Sequence, residues 1–143
     1  MSTAVANFGG EAAIIEQSPA WRAYRILQFG FTAAPILAGI DKFFHVLCNW
    51  DQYLAPWIAA LSPLGGHGLM LAVGVVEVAA GILVAVRPRT GAPVVAAWLG
   101  LIIINLISTG RYLDVALRDL GLALAAAALW QLAHQFARGG KAR

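Results

Sequence analysis

The chain has 143 residues, 60% of them apolar and only 12% charged, against roughly 25% charged in soluble domains. Length fits one domain, and long apolar runs place it in a membrane. The net charge of +3 is no nucleic-acid signature, because the basic residues sit at the ends of apolar segments. One cysteine, Cys48, excludes an internal disulfide and a CxxC dithiol centre.

We divide the chain into a tail over 1–20, a helical membrane domain over 21–137 and a basic tail over 138–143. The first segment is small and mildly polar, with Glu11 and Glu16. Residues 12–15, AAII, allow a short surface helix, but a loosely ordered tail fits better. There is no basic region ahead of an apolar run within 1–20, so no cleavable signal is expected and the first span is read as a retained anchor.

The first span runs roughly from Ile26 to Leu47. Pro35 lies in its middle, where a missing N–H usually kinks a helix. It ends in Asp41-Lys42-Phe43-Phe44-His45, and Asp41 and His45, four apart, share a helix face.

Cys48–Gly66 is an aromatic connector, read as a short interfacial helix or re-entrant loop between spans 1 and 2. Trp50, Tyr53 and Trp57 fall at spacings of three and four, on one face of a helix, and such residues favour the headgroup boundary. Pro56 is expected to interrupt it, and Ser62-Pro63 and Gly65-Gly66 to close it.

The second span, Gly68–Val86, is long enough to cross the hydrocarbon core at about 1.5 Å per residue. Its one ionisable group is Glu77, near the midpoint. A carboxylate there costs about 2.5–3.5 kcal/mol on the insertion scale for Asp, so it needs a partner. Gly74 and Gly81, seven apart, allow another helix to approach closely. Arg87–Gly91 reads as a tight basic turn. The third span, roughly Ala92–Thr109, has Asn105 as its strongly polar interior residue.

The fourth helix starts near Tyr112 and runs to about Phe136. Asp114, Arg118 and Asp119 occupy its first two turns, and its apolar body, Leu120–Ala133, is only fourteen residues. With four spans, seven of the ten basic residues fall on one side, which is therefore cytoplasmic, with both termini.

This topology gathers Asp41, Lys42, His45, Glu77, Asn105, Asp114, Arg118 and Asp119 into the outer half. Asp114 and Arg118 form an i,i+4 pair, leaving Glu77 and Asp119 to face Lys42. Three readings stay open: a polar staple that only holds the bundle, an outward-facing pocket in which Glu77 and Lys42 bind a polar headgroup or move a proton, and Lys42 or Arg118 simply snorkelling out of the membrane. His45 and His67 lie at the outer ends of adjacent spans, but their spacing matches no metal motif. No metal site is expected, and haem is disfavoured; quinone is the cofactor left open.

Three features carry a family resemblance: Gly39-Ile-Asp41-Lys42 closing the first span, Glu77 followed by Ala-Ala-Gly81-Ile-Leu83, and Arg118-Asp119 opening the fourth. With four spans in this length, the chain resembles the DoxX-like family of small bacterial and archaeal membrane proteins over about Ala23–Ala133. The resemblance implies an all-α, integral membrane four-helix bundle in the cell (inner) membrane. Some members are similar to small subunits of quinone-linked oxidases and thiosulfate:quinone oxidoreductases. By that resemblance, Lys42, Glu77, Arg118 and Asp119 are the family-like polar core. His45 and the Trp50–Trp57 connector depart from the pattern.

The expected function is an accessory subunit of a quinone-linked membrane redox complex, partnered by lipid and by other protein subunits. The alternatives are a non-catalytic membrane scaffold, and a small-solute or proton transporter using Glu77.

Overall fold

The computed structural model describes residues 18–138, together with Gly10, Ala13 and Ile14. The expectations for 12–15 and for the tail beyond Arg138 fall largely outside the described residues. The described chain is all-helical: α1 Pro19–Phe44, a 3-10 turn Trp50–Tyr53, α2 Pro56–Leu61, α3 Gly65–Val86, α4 Pro88–Thr109 and α5 Leu113–Arg138. The helices α3 and α4 are each long and apolar enough to cross a membrane.

Local chemistry sets the boundaries. Ser18 Oγ accepts from the Trp21 N–H and Pro19 follows at the first position, so α1 starts with a side-chain cap and a preset φ. It runs unbroken past Pro35 and stops at Phe44, three residues before the expected end. His45 takes a left-handed conformation (φ 53°), donating its N–H to the Asp41 carbonyl at 2.6 Å. Asp41 and His45 therefore do not continue along one helix face.

Other expectations shift for similar reasons. Pro56 begins α2 rather than interrupting a helix, because its missing N–H would be unpaired there in any case. Trp50, Tyr53 and Trp57 are consequently split over two elements. Gly65 and Gly66 open α3 instead of closing the connector. The basic turn shrinks to Arg87, since Pro88 starts α4 at once.

The four long helices pack in a ring, α1 most extensively on α3 and α4 on α5, with α3 on α4 and α1 on α5 completing it. Gly39 and Gly74 lie back to back where α1 meets α3. A Cβ at Gly39 would stand 2.5 Å from the Gly74 carbonyl oxygen, and one at Gly74 2.6 Å from that of Gly39. Gly91 serves the α3–α4 hairpin in the same way, with Val84 backbone 2.5 Å from where its Cβ would be.

The interior is divided along its length. At the end where α1 and α4 start, Tyr24, Phe31, Val84, Val95 and Leu129 form an apolar core. Trp21, Tyr24 and Phe136 close it with ring contacts of 5.2–5.6 Å. The buried charged residues, Asp41, Lys42 and Glu77, lie towards the connector end. The outward faces of α1 and α5 are apolar too, exposing Ile26, Phe29, Leu37, Leu117 and Leu124.

Candidate functional site

Burial of an ion pair between two apolar helices is the feature from which the site is built. Lys42 Nζ and Glu77 Oε2 are 2.5 Å apart, with the lysine side chain 3% exposed and the glutamate 11%. Lys42 and Glu77 lie about one turn to either side of the close Gly39–Gly74 crossing of these antiparallel helices, which brings their side chains within reach. Removing one partner would leave the other charge stranded, at a cost of about 3–5 kcal/mol. The Lys42 ammonium also lies 3.9 Å above the centre of the Trp50 ring, a cation–π contact.

Two groups from the other helix pair complete the surroundings. Asp119 on α5 is half-buried and within electrostatic reach of Glu77. The Trp98 indole N–H on α4 is buried and faces the Glu77 carboxylate, without a close, well-aligned hydrogen bond to it. Sequence reasoning missed Trp98, because a tryptophan within an apolar span reads as a belt or packing residue.

Asp41 serves the connector. Its carboxylate accepts from the backbone N–H groups of Val46 (2.9 Å) and Leu47 (3.1 Å) and from Trp50 Nε1 at 2.7 Å. This folds the chain back over the end of α1 and lays Trp50 on Lys42. Asn105 clamps the next stretch, donating to the Tyr53 carbonyl at 2.7 Å and accepting from the Ala55 N–H at 2.9 Å. Trp57 Nε1 reaches Ser108 Oγ at 3.0 Å, and the Tyr53 and Tyr112 rings meet edge to face at 4.8 Å. The aromatic connector is thereby seated on the ends of α4 and α5.

The remaining residues sort differently. Arg118 and Asp114 meet at 3.5 Å, both exposed, on the outside of α5. The structure thus pairs Lys42 with Glu77, sets Asp119 within electrostatic reach of Glu77, and directs Asp41 and Asn105 to the connector. His45 lies on the rim, where its ring stacks on that of His67 (centroids 5.7 Å apart, 23° between planes). His67 Nδ1 is 2.8 Å from Asp51 Oδ2. Beside them is a shallow cavity of about 460 Å³ lined by His45, Val46, Leu47, Cys48, Asn49 and Asp51. Burial and the nearby Asp41 carboxylate push the Cys48 thiol up, with Lys42 opposing. Asp51 was not legible as a neighbour of the histidines, because only the 3-10 turn carries it back to them.

No protein-family model, no curated protein and no solved structure matches this chain, and the DoxX-like resemblance finds no support there.

Proposed function

We propose that the chain is a four-span membrane protein with both termini cytoplasmic, and that the Lys42–Glu77–Asp119 cluster binds the headgroup of a quinone or lipid. In this reading it is an accessory subunit of a quinone-linked redox complex, as the DoxX-like resemblance implies. The observation that carries the reading is the buried Trp98 N–H, which faces the Glu77 carboxylate without a close, well-aligned hydrogen bond. A buried donor short of a full hydrogen bond costs up to about 1–3 kcal/mol, and a quinone or headgroup oxygen would accept from it. Glu77 and Asp119, two carboxylates within electrostatic reach of each other, likewise favour a ligand with a hydroxyl to donate, such as a quinol. The apolar outer faces of α1 and α5 support spans one and four, although both helices carry charge near the connector end.

A second reading has its own observation. Lys42 is satisfied within the chain by Glu77 and Trp50, as a structural staple would be. That arrangement fits a non-catalytic scaffold.

Calorimetric titration of the detergent-solubilised protein with a short-chain quinol separates them. Saturable binding is expected, weakened about 2- to 10-fold by Trp98→Phe, the worth of one neutral hydrogen bond. Glu77→Gln should weaken it further in the fraction that stays assembled. Absence of saturable binding, with Glu77→Gln dispersing the bundle, leaves the scaffold.

A further inference from the structure

The rim of the connector end carries a second constellation that the ligand cluster does not use. We propose that His45, Asp51 and His67 form a binding site for a first-row divalent transition-metal ion of the Zn²⁺ class, with an open coordination position facing the adjoining cavity. This inference is independent of the quinone reading.

Four observations converge on it. Each of the three residues offers one ligand atom, and these atoms all lie within 4.8 Å of one another. They come from three separate parts of the chain, the end of α1, the 3-10 turn and the first turn of α3, so the fold and not local sequence gathers them. Asp51 Oδ1 is buried and without a hydrogen-bond partner, an acceptor still to be satisfied. Finally, His45 ends α1 in the left-handed conformation (φ 53°), with its ring stacked on that of His67. That residue ends the helix under an Asp41 whose carboxylate organises the following loop.

The donor set selects the ion. Two imidazoles and one carboxylate suit Zn²⁺, Co²⁺, Fe²⁺ or Cu²⁺ and are poor for Mg²⁺ or Ca²⁺, which want an oxygen shell. Three protein ligands leave room for water or a small ligand. A tetrahedral ion with bonds of about 2.0–2.1 Å sets its ligand atoms about 3.3 Å apart. Asp51 Oδ2 and His67 Nδ1, at 2.8 Å, need only spread slightly as the ion replaces their shared proton. The widest separation, up to 4.8 Å, must close, and His67, with 59% of its side chain exposed, has room to rotate.

The test uses the full chain, free of any polyhistidine tag, stripped with chelator in detergent and titrated with Zn²⁺ by calorimetry and with Co²⁺ by visible absorption. One ion per chain and a Co²⁺ ligand-field band are expected. His67→Ala and Asp51→Asn should each weaken binding at least about tenfold while the helical circular dichroism stays at the parent level. His134→Ala, at the opposite end, should bind as the parent does. The proposal is overturned by binding well below one ion per chain, by variants at His67 and Asp51 that bind as tightly as the parent, or by an equal loss in His134→Ala. Because His67 is exposed, its replacement does not threaten the fold, so a negative result is decisive.

Discussion

Asp41 and Lys42 are neighbours in sequence with opposite tasks. Lys42 turns into the bundle to neutralise Glu77, whereas Asp41 turns along the helix end to collect three donors from the connector. Trp50 joins them, giving its N–H to Asp41 and its ring face to Lys42. Asp41→Asn should therefore act at a distance. An amide cannot accept all three bonds, and its NH₂ faces other donors. We expect a loss of about 1.5–3 kcal/mol in detergent unfolding, the range for hydrogen bonds to a charged group. Limited proteolysis should also open between His45 and Ala55. Parent-like resistance there would show that Asn105 alone suffices to hold the connector.

At the scale of elements, the α1–α3 contact rests on two glycines whose backbones touch. Their Cβ positions would fall 2.5–2.6 Å from carbonyl oxygen, so the helices must move apart if either becomes alanine. Gly74→Ala should cost about 1–3 kcal/mol by overpacking and also lengthen the Lys42–Glu77 contact. By contrast, Gly100→Ala, where a Cβ would meet nothing within 4 Å, should be neutral or slightly stabilising. Thermal unfolding of the two variants side by side checks this, and equal midpoints would remove the glycine crossing as a determinant. The helix boundaries repeat one lesson. Pro56, expected to interrupt a helix, and Pro88, expected within a basic turn, both start helices, because a proline at the first turn gives up a hydrogen bond that does not exist there.

For the whole molecule, the consequence is a bundle with an apolar core at one end, charged groups at the other and hydrocarbon-like outer faces. The two most apolar helices already suffice to reach across a membrane. The proposal of four spans makes a definite forecast: the protein stays in the membrane fraction after alkaline carbonate washing. A reporter fused at the C-terminus should be active on the cytoplasmic side, and one inserted at Ser62–Leu64 on the other. A C-terminal reporter on the outer side would invert the orientation and put the His45–Asp51–His67 rim in the cytoplasm.

Much of the helical layout was legible because hydrocarbon-length apolar runs have few structural alternatives, and backbone groups away from water must pair within a helix. The sequence alone thus determined where the long helices lie, that Glu77 needs a cation, and that Asp114 and Arg118 can pair. By pairing Asp114 with Arg118 it left Lys42 as the cation for Glu77, but it could not say how the two helices come close enough for them to meet. Tertiary structure decided that, because the Gly39–Gly74 approach brings Lys42 across and Arg118 lies on the outside of α5. Tertiary structure alone also decided the Asn105 clamp, the buried Trp98 N–H and the meeting of His45, Asp51 and His67. The physical reason is the same in each case. Periodicity constrains neighbours within a helix, whereas a connector's path depends on side chains far away in sequence that satisfy its backbone.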